Sequence, residues 1–175
     1  MQIYTNLSNT YRIWVSLCIG IIVGSIGCVV KIGWEVLFPL HVKLSLDSKT
    51  QHILQLFGSD SHLLYLNYVF SDGYEWNVFY LAWQFLLSLA LSLLYVLCAE
   101  FWQKLKFAHG ILYGIASWLL VYVLFLPLCG FITINTDSML GYYVCSFIES
   151  LLWIWIIELT RRDLRNRITQ EQDPF

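Results

Sequence analysis

Four apolar windows divide the chain, from Ile13 to Val30, Val78 to Ala99, Gly110 to Phe131 and Leu140 to Thr160. The first lies between Arg12 and Lys31, the second ends at Glu100, and the fourth stops at Arg161-Arg162. A bilayer core about 30 Å thick is crossed by about 20 mostly apolar helical residues, because every backbone polar group must be satisfied inside the segment. The windows therefore predict four transmembrane helices over 13–30, 78–99, 110–131 and 140–160. Pro127 falls in the last turn of the third, where a membrane helix tolerates it. Residues 31–77 read as a partly helical extracytoplasmic segment. Short interfacial helices are expected there, for example around Gln51 to Phe57, with turns at Gly58-Ser59-Asp60 and Ser71-Asp72-Gly73. Residues 161–175 form a basic tail. The fold class is an all-α membrane protein, a single integral membrane domain over residues 1–175. A three-helix alternative, in which the third and fourth windows make a re-entrant hairpin, explains the distribution of bases less well.

Composition agrees with this pattern. Of the 175 residues, 58% are apolar and 17% aromatic, above the roughly even split of soluble domains. The formal net charge of -2 conceals a segregated distribution, so local Lys/Arg asymmetry is the useful quantity. With the N-terminus inside, the cytoplasmic side holds Arg12, Lys104, Lys106, Arg161, Arg162, Arg165 and Arg167, against Lys31, Lys43 and Lys49 outside. The bias places both termini in the cytoplasm. Ser25-Ile26-Gly27-Cys28 superficially suggests a lipoprotein cleavage site, but the Leu three places before the cysteine is absent. The first window reads as a retained anchor.

Small residues recur at Ser16, Gly20, Gly24 and Cys28, a four-residue stripe that admits close approach of another helix. The stripe calls for a partner, within the chain or across a homo-oligomer. The second window aligns Gln84, Ser88 and Ser92, and the third begins with Gly110 and Gly114. These positions line a polar path or simply pack.

Acidic residues in membrane helices are costly and are functional candidates by default. Glu35, Glu100 and Glu158 each have a base one turn away, in Lys31, Lys104 and Arg162, and these pairs are expected as helix-end ion pairs. Glu149 differs. Its neighbours one turn either way are Cys145, Ser146, Leu152 and Trp153, and it sits near the middle of its window. Desolvation disfavours its charged form, so it is either protonated or paired with another helix, making it the candidate proton-responsive residue. The expected partners are Tyr113, Ser117, Tyr122, Gln84, Ser88 or Ser92. At about 100° per residue, Glu149 and Glu158 face opposite sides of the helix and cannot share one relay stripe.

Other chemistry finds little support. His41, His52 and His62 match no compact ligand spacing, and His109 reads as interfacial. The five cysteines, Cys18, Cys28, Cys98, Cys129 and Cys145, read as small core residues, with Cys129–Cys145 a conceivable pair. No phosphate-cradling loop, nucleophile elbow or metalloprotease motif is present. The chain is expected to be neither an enzyme nor a nucleic-acid binder, and to hold no metal or cofactor. Arg161, Arg162, Arg165 and Arg167 are expected to anchor the last helix against lipid headgroups.

The run Trp153-x-Trp155-x-x-Glu158-x-x-Arg161-Arg162-Asp163-Leu164-Arg165-Asn166-Arg167-Ile168-Thr169 resembles the C-terminal signature of the YagU family of bacterial inner-membrane proteins. Upstream echoes are Val30-Lys31-x-Gly33-x-Glu35-Val36, Ala99-Glu100 with Lys104, Lys106 and Gly110, and Pro127-Leu128-x-Gly130. The resemblance covers most of the chain apart from the extracytoplasmic segment. It implies a multi-pass inner-membrane protein of a largely uncharacterised family, linked in enteric bacteria to acid tolerance, and supplies no catalytic or transport residues. Ser150 stands where the family can carry a histidine, and Glu149 where it can carry a glycine. The leading expectation is a protein of acid or envelope-stress tolerance, with the bilayer as its partner. A small homo-oligomeric pore or transporter subunit and a non-catalytic assembly partner of a membrane complex are the alternatives.

Overall fold

The computed structural model describes residues 7–38, 67–69, 75–128, 139–171 and 173. Its four long helices are long and apolar enough to cross a membrane. Helix α1 runs from Asn9 to Leu37. It starts where the Ser8 side chain accepts the Tyr11 N–H at 3.3 Å, satisfying one of the donors a helix start leaves open. It ends at Phe38 (φ -127, ψ 71), the residue before Pro39, where proline sterics disfavour helix. The helix thus outruns the expected span of 13–30, and Lys31 and Glu35 lie inside it rather than in an outer segment. The apolar run Ile32, Trp34, Val36, Leu37 continues past Lys31, which is why the helix does.

Two short strands, β1 (Asn67–Val69) and β2 (Glu75–Asn77), pair antiparallel with Asn67 opposite Asn77. This small ribbon is a departure from a purely helical reading. It leads directly into α2, Val78–Phe101. The interfacial helix expected around Gln51 to Phe57 and both expected turns lie outside the described residues.

A 3-10 segment, Gln103–Gly110, connects α2 to the third helix. Its last residues, Ala108, His109 and Gly110, all have positive φ (50, 57 and 81°), a left-handed stretch that only glycine adopts freely. The third helix, α3, is α-helical over Ile111–Trp118, π-helical over Leu119–Phe125 and α-helical again over Leu126–Leu128. In the widened turn the Leu126 N–H bonds the Val121 carbonyl five residues back. Pro127 has no N–H to give the preceding turn, so the local change of pitch sits where the α-helical ladder is already broken. Helix α4 runs from Met139 to Thr169. Its 31 residues reach about 46 Å at 1.5 Å per residue, well beyond an apolar core about 30 Å thick. The excess carries the basic residues.

The bundle buries many polar side chains beside its apolar core and turns large apolar ones outward. Ser16, Ser88, Ser92, Ser146, Glu149 and Ser150 are buried, while Trp14, Val29, Leu128 and Leu140 are exposed. That distribution suits a lipid surround, in which tight packing and internal hydrogen bonds replace hydrophobic burial as the force between helices. Helix α1 packs on both α2 and α4, and α3 rests on α4. Ile19 and Val23, Tyr95, Val96 and Ala99, and Trp153, Ile154 and Ile157 form the shared core.

Glycine sets the α1–α2 spacing. A Cβ on Gly24 would lie 3.0 Å from the Leu89 Cα, and one on Gly20 3.2 Å from the Leu93 Cα. Ser16 and Cys28, on the same stripe, are also buried. Gly27, off that stripe, faces α4. A Cβ there would meet the Trp153 Nε1 at 2.6 Å.

Candidate functional site

Glu149 is 2% exposed on α4, inside the bundle. Its counter-charge comes from α1, since the Lys31 Nζ lies 3.6 Å from the Glu149 Oε1. The Tyr122 hydroxyl on α3 joins them, accepting from the Lys31 Nζ at 3.3 Å and donating to the Glu149 Oε1 at 3.0 Å. The ammonium also sits over two rings, 5.4 Å from the Tyr122 centroid and 5.2 Å from that of Trp153. Three helices thus converge on one cation, one phenol and one carboxylate. Cation–π contact with aromatic faces compensates part of the desolvation of the ammonium. The π-helical turn of α3 carries Tyr122, and such widened turns frequently occur at functional sites.

The surrounding polar groups are engaged in order. The Trp153 indole donates to the Ser88 Oγ at 3.1 Å, and that hydroxyl donates to the Gly24 carbonyl at 3.1 Å. Toward the other end of α1, Gln84 donates to the Glu35 carboxylate. Of the partners expected for Glu149, Tyr122 is the one it uses. Tyr113 donates to the Leu91 carbonyl and Ser117 to the Gly114 carbonyl.

At the opposite end of α1 the charges crowd together. Glu100 accepts from the Arg12 Nε at 2.9 Å and from the Arg165 Nε and Nη2 at 2.9 and 3.2 Å. The pairing expected with Lys104 is therefore corrected. Lys104 is exposed, and two guanidiniums from other helices meet both carboxylate oxygens. Glu158, assigned by sequence to Arg162, has both oxygens taken by Arg161, at 2.6 and 2.7 Å. It also accepts the Tyr95 hydroxyl at 2.8 Å. Arg161 bonds onward to Asp173, which accepts from the Lys106 Nζ at 2.6 Å and lies 3.5 Å from the Arg165 Nε.

Two of the four expected headgroup anchors are thereby corrected. Arg161 and Arg165 are 1% and 3% exposed, because Glu158, Arg161 and Arg165 share the α4 face turned to the bundle. Arg162 is half-buried, and Arg167 is exposed and pairs with Asp163 at 2.9 Å. Burial pushes the Asp173 carboxyl up, yet the charges and hydrogen bonds of Arg161 and Lys106 outweigh it and hold it below the usual range. Burial and the neighbouring Arg161 push the Lys106 ammonium below the usual lysine range, against the pull of Asp173.

Among the described residues no three His, Cys, Asp or Glu side chains gather to hold a metal. His41, His52, His62 and Cys129 lie outside them, and the possible Cys129–Cys145 pair with them. Sequence reasoning missed Lys31 as the partner of Glu149 and Arg12 as a partner of Glu100, and did not single out Asp173. The signal for Lys31 was present, because Gly20, Gly24, Gly27 and Lys31 continue one helical face in steps of three and four.

The profile of the family described as "Protein of unknown function (DUF1440)" matches residues 25–159, a stretch that includes Lys31, Tyr122 and Glu149. The chain belongs to the DUF1440 family. It is also 38% identical over 87 residues to the inner membrane protein YagU of Escherichia coli strain K12, across 50% of this chain and 43% of that protein. The matched stretch thus spans less than half the length of this curated relative. No solved structure matches the chain.

Proposed function

We propose that this chain is a multi-pass protein of the bacterial inner membrane that supports survival under acid or envelope stress through a proton-responsive charge pair, Lys31 and Glu149. The observation that carries the reading is the Lys31–Tyr122–Glu149 contact, one buried ion pair bridged by a hydroxyl where three helices meet. Protonation of Glu149 removes the carboxylate charge 3.6 Å from the Lys31 Nζ and leaves the ammonium against the Tyr122 and Trp153 rings. A change of one proton then alters the force between α1, α3 and α4. The inner-membrane location is supported by the relative named above. A cytoplasmic position for both termini is supported by the gathering of Arg12, Lys106, Arg161 and Arg165 at one end.

The reading is tested by acid challenge of a deletion strain complemented with the wild-type chain, Glu149→Gln or Glu158→Gln. At matched protein levels, Glu149→Gln is expected to fail to restore survival. Full rescue at wild-type levels of protein would sink the proton-responsive role. The pore alternative is less well supported. Ser88 and Ser92 are 1% and 0% exposed within a single chain, and Ser88 is occupied by Trp153 and Gly24 rather than open to an axis.

A further inference from the structure

Among the described residues, the charged cluster at the Arg12 end carries more positive than negative charge. Four cations, Arg12, Lys106, Arg161 and Arg165, face three carboxylates, Glu100, Glu158 and Asp173. The Nη1 groups of Arg161 and Arg165 are buried and have no hydrogen-bond partner among the described residues. Unpaired buried guanidinium donors are costly, so the cluster has capacity for more acceptor oxygen than it holds.

Asp173 is the replaceable member. Glu100 and Glu158 belong to long helices, whereas Asp173 follows the end of α4 at Thr169 and a reversal at Gln170 (φ 56). Its backbone N–H donates to the Asn166 side chain at 2.6 Å, which folds the tail back onto the helix. Its two oxygens are both committed, Oδ1 to Lys106 and Oδ2 to Arg161.

We propose that Lys106, Arg161 and Arg165 form a binding site for a phosphate group, which the chain's own Asp173 occupies in the structure as a tethered substitute. A phosphate offers a third acceptor oxygen for the unpartnered Nη1 groups. In its dianionic form it also balances the charges, since Glu100, Glu158 and two phosphate charges match four cations. Forked guanidiniums with one ammonium are the side chains that recognise this anion. The dianion requirement selects a phosphate that can lose a second proton, either free phosphate or the phosphomonoester headgroup of phosphatidic acid, over the singly charged phosphodiester of phosphatidylglycerol. This site is separate from the Lys31–Glu149 pair, so its failure leaves the proposed function untouched.

The test uses the full-length chain in detergent, as wild type, Asp173→Asn and Asp173→Asn with Lys106→Gln. A tethered carboxylate competes at high effective concentration, so its removal is expected to tighten phosphate binding by about ten-fold or more. Calorimetric titration with inorganic phosphate reads this directly, and the added Lys106→Gln is expected to abolish the gain. Nanodiscs containing phosphatidic acid or phosphatidylglycerol distinguish the source. Tightening for phosphatidic acid without tightening for inorganic phosphate assigns the site to a lipid headgroup. Should Asp173→Asn fold poorly, hydrogen exchange of residues 170–175 in the wild-type chain serves instead. Phosphate or phosphatidic acid is then expected to accelerate exchange there by displacing the tail. Unchanged binding by folded Asp173→Asn, or an unaltered tail under both probes, overturns the proposal.

Discussion

The two charged regions of this bundle solve the same problem in different ways. Around Glu149 a single cation and a single carboxylate meet through a phenol and are walled by aromatic rings. At the Arg12 end, seven charged groups interlock so that Glu100 and Asp173 each have more than one cationic partner. Loss of one contact at the Arg12 end leaves others in place. Loss of either member at Glu149 leaves the other with the Tyr122 hydroxyl and without its charged partner. Redundancy marks a region that holds the helices together, and its absence makes the Glu149 pair the place where loss of one charged group is least compensated.

The comparison breaks most sharply at Arg161, the one residue on which the redundancy itself depends. It bonds Glu158 through two nitrogens and also reaches Asp173. Arg161→Gln leaves both carboxylates short of a cation. A loss of about 3–5 kcal/mol is expected, in line with stranding a buried charge, and thermal unfolding in detergent measures it. A drop near that of a surface substitution would mean that Lys106 and Arg165 carry the cluster without it.

Lys31 and Glu149 are expected to lose less individually, because each substitution strands one group only. Lys31→Met and Glu149→Gln should each destabilise by about 3 kcal/mol, and the double variant by less than the sum. The coupling from that cycle, expected at about 1–3 kcal/mol for residues in contact, sharpens the contrast. Additive losses would show that the two groups are held by their rings and hydroxyls rather than by each other.

A third effect concerns the packing that brings both regions together. Gly24→Ala places a methyl 3.0 Å from the Leu89 Cα, and a backbone cannot yield as a side-chain tip can. Overpacking of about 1–3 kcal/mol is expected. Gly33→Ala, with nothing within 4 Å of its Cβ, is the matched control and should be neutral or stabilise the helix by up to about 1 kcal/mol.

The sequence makes some of this legible and hides the rest for physical reasons. Apolar windows reveal membrane helices, since length and hydropathy are properties of one segment. Helix ends were less readable. Lys31 looks like a boundary in a hydropathy window, yet its ammonium is compensated by Glu149 from a helix more than a hundred residues later in the chain. The same limit applies to Glu100, whose local base Lys104 is the wrong one because Arg12 and Arg165 arrive from distant segments. Local spacing identifies i,i+4 neighbours, but which cation wins depends on how helices are rotated against each other. The π-helical turn that carries Tyr122 follows from no motif, although Pro127 marks the place.

The smallest expected effect is a pH dependence of the tail. Asp173 is held below its ordinary value by Arg161 and Lys106, so its folded-state pKa is lower than its unfolded one. Its contribution to stability is therefore fully present above the unfolded value, about 3.9 for an aspartate. It is lost as pH falls through the lower, folded value. Melting temperatures of wild type and Asp173→Asn, followed from neutral pH to about pH 3, should differ at neutral pH and converge toward the acid end. A difference that persists undiminished to the acid end would mean that the variant acts through the shape of its amide rather than through the charge that Asp173 presents to Arg161 and Lys106.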